Sequence, residues 1–112
     1  MIEVTAAELM QLQADAMSER QLQTEVERLL KAGGWRFYHT HRSDRSQPGF
    51  PDICAVRPPQ ILFAELKRQK RSNFTVEQRG WHDDLTAVVG AWAVYLWRPM
   101  HLLDGTIARI LA

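Results

Sequence analysis

The sequence predicts a single α/β domain, a mixed sheet flanked by helices, and three observations carry that prediction. A helical apolar stripe stops at Gly33-Gly34. Three short runs rich in strand formers follow before residue 67, the last two joined through Pro58-Pro59. A second helical segment then leads into a further apolar run at residues 91–97. The resulting order, helix, strand, strand, strand, helix, strand, places a hairpin at the centre and helices against the sheet. A chain of 112 residues has room for one modest core. We divide it into an N-terminal extension or arm, residues 1–17, and the domain proper, residues 18–112.

The extension holds a weakly helical segment (AAELMQLQADAM) without a strong boundary, and no chemistry is assigned to it. Ser18 with Gln21 three residues on forms a capping-box pattern, and Leu22, Val26, Leu29 and Leu30 recur at helical spacing. At about 100° per residue the stripe centres near Val26, and Glu19 falls roughly 35° from that centre, with Gln23 one turn on. A helix rotated by about 80° would present Glu25 in place of Glu19.

Residues 35–40 (WRFYHT) alternate bulky apolar and polar groups, as a strand does. Residues 41–47 (HRSDRSQ) form a polar loop rich in groups that donate to phosphate oxygens. His39 and His41 are spaced for one strand face but lack a third ligand at an established zinc spacing.

The two central strands are expected at residues 52–57 and 61–66. Period-two geometry puts Phe63, Glu65 and Lys67 on one face of the second strand, with Leu62, Ala64 and Leu66 on the other. A tight turn on the two prolines sets Asp52 directly across from Glu65, with Cβ atoms roughly 5 Å apart. A register shift of one residue would move Asp52 to the opposite face.

Residues 68–73 (RQKRSN) make a basic link. Thr75 then caps a helix in which Val76, Trp81, Leu85, Val88 and Val89 can face the core, with Gln78 and Arg79 in its first turn. Gly90 ends that helix. Residues 91–97 (AWAVYLW) favour a buried strand, and residues 104–111 a terminal helix. Trp81, Trp92 and Trp97 are most simply core or interface residues.

Net charge is +1, but its distribution is uneven. Residues 1–30 carry Glu3, Glu8, Asp15, Glu19, Glu25 and Glu27 against Arg20 and Arg28. Residues 39–80 reverse the balance, with Arg42, Arg45, Arg57, Lys67, Arg68, Lys70, Arg71 and Arg79 against Asp44, Asp52, Glu65 and Glu77. Such a basic middle suits a polyanionic partner, or is simply a solvated face. The single cysteine, Cys54, rules out an internal disulfide and a cysteine-based zinc site, and its apolar neighbours make it a small core residue. A reducing compartment, and with no signal peptide or membrane-spanning run a cytoplasmic location, is the expectation.

Two acids and a lysine at the ends of otherwise apolar strands need a joint reason, because buried charge is costly unless compensated. Two facing carboxylates raise each other's pKa unless a cation lies between them. Hard divalent cations take oxygen ligands and often only one or two protein carboxylates, which Asp52 and Glu65 can supply. Such a metal polarises a phosphodiester and activates water, while Lys67 orients the attacking water and adds positive charge for the transition state. A Glu65–Lys67 surface ion pair on an edge strand is the plain alternative.

The set of motifs is specific where each alone is weak. Pro51-Asp52, twelve residues, then Glu65-Leu66-Lys67, on this element order, resembles the PD-(D/E)XK nuclease superfamily. The finer pattern resembles its VRR-NUC family: a helix with Glu19 and Gln23 one turn apart, then GWRFYHT, then Gly49-Phe50-Pro51-Asp52, FAELK, and the T-x-E-Q of residues 75–78. The resemblance spans residues 18–98.

The resemblance implies a restriction-endonuclease-like core and a DNA endonuclease dependent on Mg²⁺ or Mn²⁺. Asp52, Glu65 and the Leu66 carbonyl would bind metal, with Glu19 contributing through water. Lys67 would assist the attacking water, and Gln78 would touch phosphate or water. Arg42, Ser43, Arg45, Arg68, Lys70, Arg71, Gln23 and Arg79 are the residues expected to grip nucleic acid. Stand-alone members of this size are similar to phage and bacterial proteins related to Holliday-junction resolvases and look like dimers, which points to branched DNA and a homodimer, without membrane or organic cofactor. A non-cleaving binding module on the same fold and a restriction-type or nicking nuclease are the competing readings.

Overall fold

The computed structural model describes residues 3–40 and 47–112. A first helix, α1 (Ala6–Ala16), is capped by Thr5 and ends at Met17. Ser18 caps α2 (Glu19–Ala32) with both halves of the capping box in place: Gln21 N–H donates to Ser18 Oγ (3.0 Å) and Ser18 N–H donates to Gln21 Oε1 (2.8 Å). The strands β1 (Arg36–His39), β2 (Ile53–Arg57) and β3 (Gln60–Leu66) follow, then α3 (Val76–Val89), β4 (Val94–Trp97), α4 (Pro99–Leu103) and α5 (Thr106–Leu111). The four strands form one sheet in the order β1-β2-β3-β4, antiparallel except for the parallel β3–β4 pair that α3 connects. The predicted α/β class with a mixed sheet is the observed one.

The central hairpin has the expected register. Arg57 pairs with Gln60 and Ile53 with Ala64, leaving Pro58-Pro59, a cis pair, as a two-residue turn. Continued by one residue, the register sets Asp52 opposite Glu65.

Alternation along β3 sorts the two faces of the sheet. Leu62, Ala64 and Leu66 join Ile53, Ala55 and Trp97 in a core sealed by Leu22, Val26 and Leu30 of α2 and by Ile107 and Leu111 of α5. Burying each such aliphatic side chain contributes about 1.5–3 kcal/mol. Three of them fix the rotation of α2 about its axis, and so the direction of every other side chain on that helix. On the opposite face, α3 lies over Phe63 and Glu65, with Phe50 wedged edge-on between Phe63 (6.2 Å) and Trp81 (5.0 Å).

Three expectations are corrected. The first concerns α3, which has no fully buried residue: Trp81, Leu85 and Val89 are half-buried, while Val76 and Val88 stand 87% and 82% exposed. Positions 76 and 78 point about 200° apart on a helix, so turning Gln78 toward the sheet turns Val76 to solvent. The second concerns residues 91–97, where only Val94–Trp97 pair with β3 and Ala91–Ala93 form a 3-10 turn after Gly90. Tyr95 fastens this turn by donating its hydroxyl hydrogen to the Trp92 carbonyl, which leaves Trp92 exposed and only Trp97 of the pair in the core. The third is the C-terminus, where Pro99 starts an unpredicted helix and Gly105, at φ 84°, breaks the run so that α5 begins at Thr106.

The extension docks onto the domain: α1 packs against α4, and Ala14 is fully buried. Cys54 is half-buried, and burial raises its thiol pKa. Among the described residues no helix is long and apolar enough to cross a membrane.

Candidate active site

The site grows from the open end of the hairpin. Asp52 precedes β2, Glu65 and Lys67 straddle the end of β3, and all three fall on the α3 side of the sheet by register and alternation. Glu65 is 4% and Lys67 8% exposed, and they are the two polar or charged residues buried among those described. The Lys67 Nζ stands 4.0 Å from Glu65 Oε1. The backbone N–H of Leu66 donates to Asp52 Oδ2 (2.7 Å), which anchors that carboxylate to β3.

Gln78 completes the arrangement from α3. Its Oε1 accepts from Thr75 N–H (2.9 Å) as the helix cap, while its Nε2 donates to Glu65 Oε1 (2.9 Å). Gly49 makes this approach possible. It sits at φ +86°, and an added Cβ would come within 2.4 Å of the Glu77 carbonyl carbon and 2.6 Å of the Gln78 nitrogen. Only a glycine lets the segment before Asp52 lie against the first turn of α3.

Electrostatics tie the acids together. Burial first, then the charge of Asp52 and a hydrogen bond with it, push the Glu65 carboxyl up to about 9, with Lys67 opposing and Glu19 adding to the rise. The Glu19 carboxyl is also raised, by desolvation, then by Asp52, against a lowering by Lys67. Glu19 is exposed as a residue and so lies at the rim of the cluster. Glu25 instead pairs with Arg28 (2.8 Å) on the outside of α2, so the rotation fixed by Leu22, Val26 and Leu30 presents Glu19.

In donor chemistry the cluster fits a hard divalent cation: two oxygen-bearing acids opposite one another, a third at the rim, and the Leu66 peptide beside them. Among the described residues no group of three or more His, Cys, Asp or Glu side chains could enclose a metal. A bound ion would therefore complete its shell with water, as Mg²⁺ commonly does.

No family model and no curated protein sequence matches the chain. Comparison with solved structures finds a VRR_NUC domain at a TM-score of 0.64 and 24% identity, covering 82% of this chain and 96% of that one. The chain has the VRR_NUC fold.

On the VRR_NUC fold, the residues expected to grip nucleic acid divide into groups. Arg42, Ser43 and Arg45 lie outside the described residues. Arg68, Lys70 and Arg71 are exposed and line one cleft together with Asp15. Gln23 donates to Glu27 (2.7 Å) along α2. The Arg79 guanidinium lies 4.7 Å over the Phe74 ring and 3.9 Å from Asp83.

Sequence reasoning missed two arginines that organise the surroundings. Arg98 donates to the carbonyls of Arg68 (2.6 Å) and Ser72 (2.7 Å) and to Asn73 Oδ1 (3.3 Å), so it shapes the basic link. Arg57, one cation of the basic middle, stacks over Trp35 (4.4 Å) and donates to Gly33, Leu111 and Ala112 carbonyls. The signal available for Arg98 was its place at the end of a buried strand, where a charge needs partners.

Proposed function

We propose that this protein belongs to the VRR-NUC family and is a divalent-metal-dependent endonuclease hydrolysing phosphodiester bonds in DNA, structure-selective for branched DNA such as Holliday junctions. The observation that carries the reading is the placement of Asp52 opposite Glu65 at the end of the hairpin, with Glu65 and Lys67 both buried beside them. An acid pair there is costly in the free protein, and structural stability supplies no reason for it.

Asp52, Glu65, the Leu66 carbonyl and, through water, Glu19 would hold Mg²⁺ or Mn²⁺, which supplies Lewis-acid polarisation of the phosphodiester. Lys67, held near Glu65, directs its ammonium at the reacting phosphate and its incoming water and offsets charge developing on phosphoryl oxygens. Gln78 keeps the Glu65 carboxyl oriented. Arg68, Lys70 and Arg71 hold the flanking backbone by charge, which fixes position without reading sequence. A homodimer would present two such sites to the two strands of a junction.

The test is a panel of four-way junction, flap, duplex and single-stranded DNA with Mg²⁺ or Mn²⁺. The wild type is expected to cleave the junction, and Lys67→Ala and Asp52→Asn to abolish cleavage. Binding of the panel without cleavage of any member establishes the non-cleaving module instead.

A further inference from the structure

A cleft of about 270 Å³ opens between the end of α1 and the link that follows β3, lined by Asp15, Arg68, Lys70 and Arg71. Three cations face one acid there. Lys70 Nζ lies 3.0 Å from Asp15 Oδ2, while the other Asp15 oxygen accepts from Gln11 Nε2 (2.7 Å). Both oxygens are engaged, and the bond to Lys70 and then that to Gln11 hold the carboxyl below the usual carboxylate range.

The opposite wall is held in shape. Three hydrogen bonds from Arg98 fix the carbonyls of Arg68 and Ser72 and the Asn73 amide, and Met100 N–H donates to Gln69 Oε1 (2.9 Å). Arg71 sits at φ 61°, a left-handed conformation uncommon for a side-chain-bearing residue. Lys70 follows Lys67 by three residues, so their Cα atoms lie within roughly 11 Å of each other.

Resting on the phosphodiester reading above, we infer that this cleft is a phosphate subsite beside the catalytic one and that Asp15 keeps it occupied by pairing with Lys70 until a substrate phosphate displaces it. The strength of the pair is suited to that role. The Lys70 and Asp15 side chains are 66% and 27% exposed, and exposed ion pairs contribute little to stability. A structural clamp would need more, whereas a competitor for phosphate must be weak enough to leave. A phosphate entering the cleft meets two guanidinium forks and an ammonium, against which a single carboxylate competes poorly. The extension thereby sets a threshold: isolated anions find Lys70 occupied, and a backbone that also engages Arg68 and Arg71 releases it.

The experiment measures binding of a fluorescein-labelled four-way DNA junction by anisotropy in EDTA, so that affinity is read without cleavage. Asp15→Asn is expected to bind roughly threefold more tightly than the wild type, the scale of one exposed ion pair. Its affinity is also expected to fall more steeply with salt, since Lys70 is free to displace a further counterion. Lys70→Ala is expected to bind more weakly, and Asp15→Asn/Lys70→Ala to match Lys70→Ala alone. Wild-type affinity for Asp15→Asn overturns the inference, as does a gain from Asp15→Asn that persists without Lys70, because Asp15 would then act as a general repulsive charge. If no form binds DNA, the phosphodiester reading itself falls and the subsite with it. Binding by the wild type with no effect of Asp15→Asn overturns the inference and leaves the phosphodiester reading standing.

Discussion

Replacing Glu65 with glutamine should make the metal-free protein more stable while destroying its proposed activity. In the folded chain burial and Asp52 push the Glu65 carboxyl up to about 9, so near neutrality it is protonated in the fold and ionised in the unfolded chain. A carboxyl pKa raised by folding contributes stability that is present below its unfolded value, near 4.5, and is lost as pH rises through the folded value. The slope is about 1.4 kcal/mol per pH unit, which makes the loss about 3 kcal/mol at pH 7. Glutamine carries no proton to take up. Its carbonyl can still accept from Gln78, and its amide hydrogens replace the acidic proton facing Asp52. Asp52, Lys67 and Glu19 are present in both proteins, so the difference between them isolates position 65. Urea melts in EDTA should show Glu65→Gln about 3 kcal/mol more stable at pH 7 and within about 1 kcal/mol of the wild type at pH 5. Saturating Mn²⁺ should narrow the gap at pH 7 by stabilising only the wild type. No gain at pH 7, or a gain unchanged at pH 5, refutes the reasoning.

Gly49→Ala should lower stability by about 1–3 kcal/mol in thermal melts, because the new Cβ meets the first turn of α3 and the φ of +86° disfavours any side chain. It should also reduce cleavage, since the turn it displaces carries Gln78. Arg98→Ala should raise the KM for DNA about tenfold while leaving kcat within about twofold, because it loosens the link that carries Arg68, Lys70 and Arg71 but touches no reacting group. Arg98→Lys should not restore affinity, as one ammonium cannot replace a fork reaching two carbonyls and an amide.

What could be read in the sequence was local or periodic. The Ser18–Gln21 capping box and the Thr75 cap are short-range patterns, and both are present; that Gln78 closes a second box on Thr75 is seen in the structure. The facing of Asp52 and Glu65 followed from period two and a two-residue turn, each a local constraint. The stripe on α2 selected Glu19 over Glu25 because three aliphatic side chains fix the helix more firmly than one carboxyl can. What escaped depended on partners distant in the chain. Arg57 finds carbonyls 24 and 54 residues away, and Arg98 finds its own 26 and 30 residues away. No window of sequence contains those pairs. The exposure of Val76 and Val88 escaped for a related reason: an apolar stripe shows that a helix can be buried, and the sheet beneath α3 presents Glu65 as well as Phe63.

Gln78 shows how closely the frame and the site are joined. A capping box accepts either glutamate or glutamine at its third helical position, since only the side-chain carbonyl is needed to receive the cap N–H. The helix alone would accept either, and a helix N-terminus favours the acid. At this position the second head-group atom decides, because Nε2 donates to a carboxyl that already faces Asp52. A glutamate would bring a further acid to the cluster and leave Glu65 without its donor. The amide therefore answers to the site, and the cap that starts α3 also fixes where the helix delivers that donor. Moving the cap by one residue would rotate the donor by about 100° and lose it. The three-residue spacing from Thr75 to Gln78 is thus set twice over, once by the helix end and once by Glu65.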